Sequence, residues 1–135
     1  MTQNIDNLEE KAGLDMSKVC QAHGAARGAA CTKGHDNDEK AMFESIKNDK
    51  VYFCTKENCN KPVKPDIVFF GEALPESFFK AVNDLQGVDL VIVMGTALAV
   101  SPFKDIVSMF DKNVPQVLFN MTNVVETSGY DFDKP

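Results

Sequence analysis

Three of the four cysteines lie in a polar stretch of the chain that has little else from which to build a core. Cys54 and Cys59 are separated by four residues, and His35 follows Cys31 after a gap of three. Eighteen residues lie between His35 and Cys54. Two short-spaced pairs joined by such a loop are typical of a tetrahedral structural zinc site, because each pair reaches the ion from one tight turn. Residues 25–65 are therefore predicted to form a zinc-binding module held together by metal more than by apolar burial.

Spacing alone leaves two alternatives to this ligand set open. Asp36 could supply the fourth ligand in place of His35. Cys31 could instead be a small buried hydrophobe, with His35 on the surface. The N-terminus has no secretory signal, which favours thiols or metal ligands over disulfides. The metal site is the preferred interpretation.

Cys20 stands apart from the other cysteines, three residues before His23. This spacing allows a nucleophile and its base, but it also allows a buried thiol beside a histidine that points away. Residues three apart on an extended segment face opposite sides, which favours the second interpretation.

The composition excludes several classes of protein. Hydrophobic residues make up 44% and charged residues 25% of the 135 residues, as in globular domains. The longest apolar runs have five residues, too few to span a membrane. The net charge of −6 argues against direct binding to nucleic-acid phosphates. A cytoplasmic or nuclear location is expected.

The second half of the chain has the pattern of an α/β fold. Residues 88–94 are almost continuously apolar and β-branched, as in a parallel strand covered on both faces. A helix is predicted at about residues 102–110 and a further strand at Gln116–Phe119. These elements together form a β-α-β unit. Upstream, residues 67–70 are predicted to be a strand, and a helix is predicted after Pro75.

Three parallel strands do not complete a doubly wound domain. The predicted fold class is therefore α/β, with part of a Rossmann-like doubly wound parallel sheet and a small zinc-binding module. In the N-terminal region, Asn4 or Asp6 is predicted to cap a helix that Gly13 ends. Four regions are expected: a helix and the segment after it (1–24), the zinc-binding module (25–65), the C-terminal part of the Rossmann-like domain (66–125) and a polar tail (126–135).

Two groups of residues suggest a ligand. Gly95 and Thr96 follow the apolar strand, at the end where open α/β sheets bind ligands. Gln3, Asn4 and Asp6 form a polar cluster that packing does not explain. The sequence contains no G-x-G-x-x-G motif, so a dinucleotide does not follow from motifs alone.

Four segments carry a resemblance to one known family. They are residues 2–6 (Thr-Gln-Asn-Ile-Asp), 22–24 (Ala-His-Gly), 63–72 (Val-Lys-Pro-Asp-Ile-Val-Phe-Phe-Gly-Glu) and 93–96 (Val-Met-Gly-Thr). In order and rough spacing they resemble the sirtuins, which are NAD-dependent protein-lysine deacylases, and most nearly the class that includes the cytoplasmic and nuclear deacetylases. The resemblance extends from residue 2 to about residue 125, and its most specific part is the block at 63–72.

The resemblance implies an enzyme that transfers an acyl group from lysine to ADP-ribose and releases nicotinamide. His23 matches the family's general base, which draws a proton from the nicotinamide-side ribose once the acyl oxygen has attacked C1′. Histidine suits that task because its imidazole can act as a general base at cytosolic pH. Asn4 matches the residue that orients the ribose or an attacking water.

The resemblance also implies binding residues. The expected NAD contacts are Gln3, Asn4, Asp6, Gly95, Thr96 and Asn120. An acyl-lysine protein or peptide is expected to lie as an added strand along Val68, Phe69, Gly71 and Glu72. Cys31, Cys54 and Cys59 match three of the family's four zinc cysteines. No nucleic acid or membrane is expected as a direct partner.

The sequence departs from the family pattern at several positions. Ala97 stands where a serine usually follows Gly-Thr, and Met121 and Thr122 replace a basic and an acidic residue after Asn120. His35 stands where the fourth zinc cysteine belongs.

The resemblance further implies that the chain opens inside the family's core, downstream of its glycine-rich phosphate loop. We therefore expect a fragment that is inactive alone. The alternative is a non-catalytic zinc-containing binding or decoy protein derived from a sirtuin. A plain zinc-ribbon interaction module is disfavoured by the block at 63–72.

Overall fold

The computed structural model describes residues 1–124; the predicted polar tail at 126–135 and residue 125 lie outside the described residues. The chain divides into two compact units, Met1–Phe79 and Lys80–Pro135. The boundaries predicted from the sequence at residues 24, 65 and 125 stay predictions. None of the helices within residues 1–124 is long and apolar enough to cross a membrane.

The N-terminal helix of the first unit is shorter than predicted. Helix α1 comprises Leu8–Lys11, and the Asp6 carboxylate accepts a hydrogen bond from its first N–H at 3.1 Å. The chain before it is extended instead, because Thr2 and Ile5 accept backbone hydrogen bonds from Ala22 (2.9 Å) and Ala26 (2.7 Å). The predicted helix end near Gly13 is confirmed, since Gly13 has a φ of 80°.

Residues 25–65 are built around a two-stranded antiparallel ribbon. Strand β1 (Ala30–Cys31) pairs with β2 (Val63–Lys64), and helix α2 (Glu39–Lys47) lies between them in the chain. Asp38 caps α2 by accepting a hydrogen bond from the Ala41 N–H at 2.9 Å. The buried core of this region is small and consists of Ala29, Cys31, Met42, Cys54, Cys59 and Val63.

The strand predicted at residues 67–70 is wrong. Ile67 makes a single antiparallel bridge to Gly24, after which the chain turns. The turn forms because Phe69 donates its N–H to the Glu72 carboxylate at 2.9 Å and Gly71 takes a φ of 89°. The helix predicted after Pro75 is confirmed as α3 (Glu76–Asn83).

The second unit contains a parallel pair of strands, β3 (Val91–Met94) and β4 (Gln116–Phe119). The connection between them is a 3₁₀ helix at Phe103–Ser108, in place of the predicted α-helix. Ser108 donates its hydroxyl to the Asp105 carbonyl at 2.6 Å, a local bond that competes with α-helical pairing. The buried core of the second unit consists of Val93, Leu98, Val107 and Val124. The β-α-β order is as predicted, with a 3₁₀ crossover.

Candidate functional site

Cys31, His35, Cys54 and Cys59 lie together, and their candidate ligand atoms are all within 4.8 Å of one another. The Cys31 and Cys59 sulfurs are 3.8 Å apart, and the Cys54 sulfur is 3.7 Å from His35 Nδ1. The distance between the Cys31 and Cys59 sulfurs is too long for a disulfide, whose sulfurs lie about 2.0 Å apart, and all four cysteines are free thiols. A tetrahedron with zinc–sulfur bonds of about 2.3 Å has sulfur–sulfur edges of about 3.8 Å. The donor set and its spacing therefore fit a zinc ion.

Two tight turns present the four side chains. In the first, Cys31 and His35 are joined by a hydrogen bond from the Cys31 N–H to the His35 carbonyl at 3.0 Å. In the second, Cys54 donates its N–H to the Lys61 carbonyl at 2.8 Å, which folds the loop containing Cys59 back on itself. Asp36, the alternative fourth ligand, is exposed and does not belong to the cluster.

The electrostatics of the cluster favour a bound cation. Burial acts to raise the pKa of Cys31, but backbone N–H groups of His35 and Lys33 and the neighbouring thiols outweigh it, so this pKa is lowered. The pKa of Cys59 is raised, because burial and the adjacent Cys54 and Cys31 outweigh a hydrogen bond from Lys61. One thiolate thus disfavours the next, and a bound cation would relieve that repulsion.

The predicted catalytic histidine lies on a turn rather than on an extended segment. Gly24 donates its N–H to the Gln21 carbonyl at 3.0 Å, which closes the turn around half-buried His23. Gly24 has a φ of 71°, and a Cβ there would collide with the Asp66 carbonyl. Only glycine lets the His23 turn approach the backbone of Asp66 this closely.

Backbone hydrogen bonds bring His23 next to the predicted substrate segment. The His23 carbonyl accepts the Val68 N–H at 2.9 Å. On the other side, Ala22 is bonded to Thr2, so the turn also adjoins the segment that carries Gln3, Asn4 and Asp6. Gln3 is half-buried, whereas Asn4 and Asp6 are exposed. Their roles stay predictions.

Lys64 and Glu72 hold the predicted substrate segment in its turn. The Lys64 ammonium donates to the Glu72 carboxylate at 3.0 Å and to the Ile67 carbonyl at 2.7 Å. It also lies 5.0 Å from the centroid of the Phe69 ring. Hydrogen bonds from the Phe69 N–H and from Lys64 lower the pKa of Glu72. Sequence reasoning missed Lys64, although the residue belongs to the block at 63–72.

In the second unit, Gly95, Thr96 and Asn120 meet at the carboxyl ends of β3 and β4. Asn120 donates its amide to the Thr96 carbonyl at 2.9 Å, and Gly95 donates its N–H to the Phe119 carbonyl at 3.0 Å. They line an open pocket of about 540 Å³. This is the edge at which parallel sheets bind ligands.

Cys20 is buried, and its sulfur lies 3.6 Å from the Ser77 carbonyl, to which it can donate. Desolvation raises its pKa. A buried thiol with a raised pKa is a poor nucleophile, so the structure supports the interpretation of Cys20 as a packed thiol.

Comparison with known proteins defines the family to which the chain belongs. The sequence model of the Sir2 family matches residues 1–102. A solved structure described as "Sir2-p53 peptide-NAD+" superimposes with a TM-score of 0.78 at 27% identity, covering 95% of this chain and 59% of that one. The chain belongs to the Sir2 family. The resemblance seen in the sequence and the predicted Rossmann-like fold class are thereby confirmed.

Two curated relatives illustrate the similarity. The chain is 36% identical to an NAD-dependent histone deacetylase sir2 of Schizosaccharomyces pombe, over 93% of this chain and 34% of the relative. It is 40% identical to an NAD-dependent protein deacetylase SIR2rp1 of Trypanosoma brucei brucei, over 91% and 35% respectively. The chain thus spans about a third of the length of each of these two relatives.

Proposed function

We propose that this chain carries the zinc module, the catalytic histidine and the peptide-binding segment of an NAD-dependent protein-lysine deacetylase. The observation that carries the proposal is the junction of two family segments: the His23 turn is hydrogen-bonded to Val68 within the first unit. A base at this position would lie beside the backbone along which a peptide is expected to bind. The names of the relatives, which are NAD-dependent deacetylases, support the same activity.

In the proposed reaction, the peptide's acyl oxygen attacks C1′ of the nicotinamide ribose, and nicotinamide leaves. His23, which is half-buried beside the proposed peptide segment, accepts a proton from the ribose hydroxyl as the general base of that step. Asn4 orients the ribose or the water that completes acyl transfer to ADP-ribose. Gln3, Asp6, Gly95, Thr96 and Asn120 are proposed to bind NAD.

Val68, Phe69, Gly71 and Glu72 are proposed to receive the acyl-lysine peptide as an added strand. Cys31, Cys54, Cys59 and His35 are proposed to hold zinc with all four positions filled by protein, which leaves no coordination position for catalysis. The zinc ion would therefore support the fold of the module. The histone deacetylase among the relatives supports a nuclear or cytoplasmic location.

The proposal is tested by nicotinamide release from NAD in the presence of an acetyl-lysine peptide. The longest polypeptide that the gene encodes should release nicotinamide catalytically. The His23→Ala substitution should abolish this activity while the zinc content stays at the wild-type level. Residues 1–135 alone should give background release, because they contain no glycine-rich pyrophosphate turn.

Unchanged turnover in the His23→Ala variant would refute the role of His23. Peptide binding without turnover in the longest polypeptide would instead support the non-catalytic binding protein.

A further inference from the structure

Asn37 connects the two turns that present the candidate zinc ligands. It follows His35 by two residues and precedes the cap of α2, so its own backbone belongs to the first turn. Its side-chain amide donates to the His35 carbonyl at 2.7 Å and to the Cys54 sulfur at 3.5 Å. Its side-chain oxygen accepts the Thr55 N–H at 3.1 Å. Both donors and the acceptor of this one amide are therefore used, and two of the three bonds reach the second turn.

The bond to Cys54 differs from the bonds to the other thiols. Cys31 accepts a backbone N–H from His35 at 3.4 Å, and a backbone N–H of Lys61 reaches Cys59. Those donors are backbone N–H groups, which every residue except proline provides. Cys54 receives its bond from a side chain that depends on residue 37 being an amide, and a single substitution can remove it.

We propose that Asn37 is a positioning residue for the metal centre, which sets the orientation of Cys54 and His35 and moderates the charge on the Cys54 thiolate. The inference rests on the proposed zinc site and goes beyond its four ligands. Groups that hydrogen-bond to metal ligands typically change metal affinity by about 10–100-fold when they are removed. An N–H donor also stabilises sulfur lone pairs, which changes the energy of thiolate-to-metal charge transfer.

The test compares two asparagines of the same module in the 135-residue chain. Asn37→Asp keeps the acceptor for Thr55 but loses both donors, and Asn37→Ala loses all three bonds. Asn48 is the matched control, because its amide donates to the Glu44 carbonyl at 2.7 Å and to the Glu44 carboxylate at 3.3 Å at the end of α2, and neither bond involves a thiol. Zinc affinity is measured by chelator competition, and thiolate-to-metal charge transfer is measured on the cobalt-substituted proteins.

Both Asn37 variants should bind zinc about 10–100-fold more weakly than wild type. Their charge-transfer band should move to longer wavelength, because a sulfur without its N–H donor has higher-energy lone pairs. Asn48→Asp and Asn48→Ala should leave the band in place and the zinc affinity within a few-fold of wild type.

A band that stays in place in both Asn37 variants overturns the proposal, even if their affinity falls, because a general loss of stability does not change the sulfur donor. Equal losses in the Asn37 and Asn48 variants overturn it as well. A wild-type chain that binds no zinc overturns both this inference and the zinc site on which it rests.

Discussion

Replacing Cys54 by serine should unfold the zinc-binding module. Three of the six buried residues in the core of this region are candidate metal ligands, which leaves Ala29, Met42 and Val63 as its other members. Full burial of a side chain such as Met42 or Val63 contributes about 1.5–3 kcal/mol, so the two together contribute about 3–6 kcal/mol. Structural zinc contributes about 10–16 kcal/mol of apparent binding free energy in small zinc domains. Metal loss therefore removes more stabilisation than the burial of Met42 and Val63 supplies.

The assay is hydrogen exchange with mass spectrometry on zinc-loaded wild type, on Cys54→Ser and on wild type treated with a chelator. The amides of α2 and of the β1–β2 ribbon should lose protection in the second and third samples. Cys20→Ser makes the same chemical change at a buried cysteine outside the cluster, and its hydroxyl can still donate to the Ser77 carbonyl. This control should keep stoichiometric zinc and the protection of α2.

Two outcomes would refute this reasoning. One is a purified wild-type chain without stoichiometric zinc after refolding with the metal. The other is a chelated protein in which α2 stays as protected as in the zinc-loaded protein, since the apolar core would then suffice without metal.

His35→Ala should weaken zinc binding by less than Cys54→Ser in chelator competition, because water can occupy the vacated position, and wild-type affinity in this variant would remove His35 from the ligand set. Glu72→Gln should speed amide exchange at Phe69 and weaken binding of an acetyl-lysine peptide at neutral pH, whereas Glu57→Gln at an exposed site should do neither. The pKa of Glu72 is lower in the folded chain, so its stabilising effect is present above the ordinary glutamate pKa and is lost as pH falls through the folded value. The exchange rates of wild type and Glu72→Gln should therefore converge in acid, and a difference that persists there would contradict this assignment.

The cluster of four candidate zinc ligands could be predicted from the sequence because the spacing that indicates it is local. Each pair of ligands lies within one turn, so spacing alone brings its members together, and the thiols narrow the choice of metal. The bridge that Asn37 makes between the two turns could not be predicted in this way. It depends on how residue 37 meets Cys54 and Thr55 across the loop, and asparagine before a helix ordinarily indicates only a turn or a cap.

Two of the errors in the predicted elements, at residues 67–70 and in the N-terminal helix, have a common physical cause. Residues 67–70 are apolar enough for a strand, but the Glu72 carboxylate takes the Phe69 N–H and turns the chain. The N-terminal helix is short because residues 2–5 pair with the segment around His23 instead of with their own neighbours. In both cases a non-local or side-chain hydrogen bond overrides the local pattern. Both lie at the His23 junction, which is the proposed functional site, and functional sites are where sequence rules are expected to fail.

The apolar pattern of β3 and β4 predicts more burial than residues 1–124 provide. Val93 is buried against Val107, whereas Ile92 and Met94 on the opposite face of β3 are 50% and 68% exposed. On β4, Phe119 is 61% exposed. Parallel strands that are apolar on both faces occur almost only where both faces are covered. The sequence of these strands is therefore adapted to cover on both faces. For this reason the apolar pattern predicts an α/β sheet correctly. It also overestimates how much of that sheet is buried in the part of the chain that the structure describes.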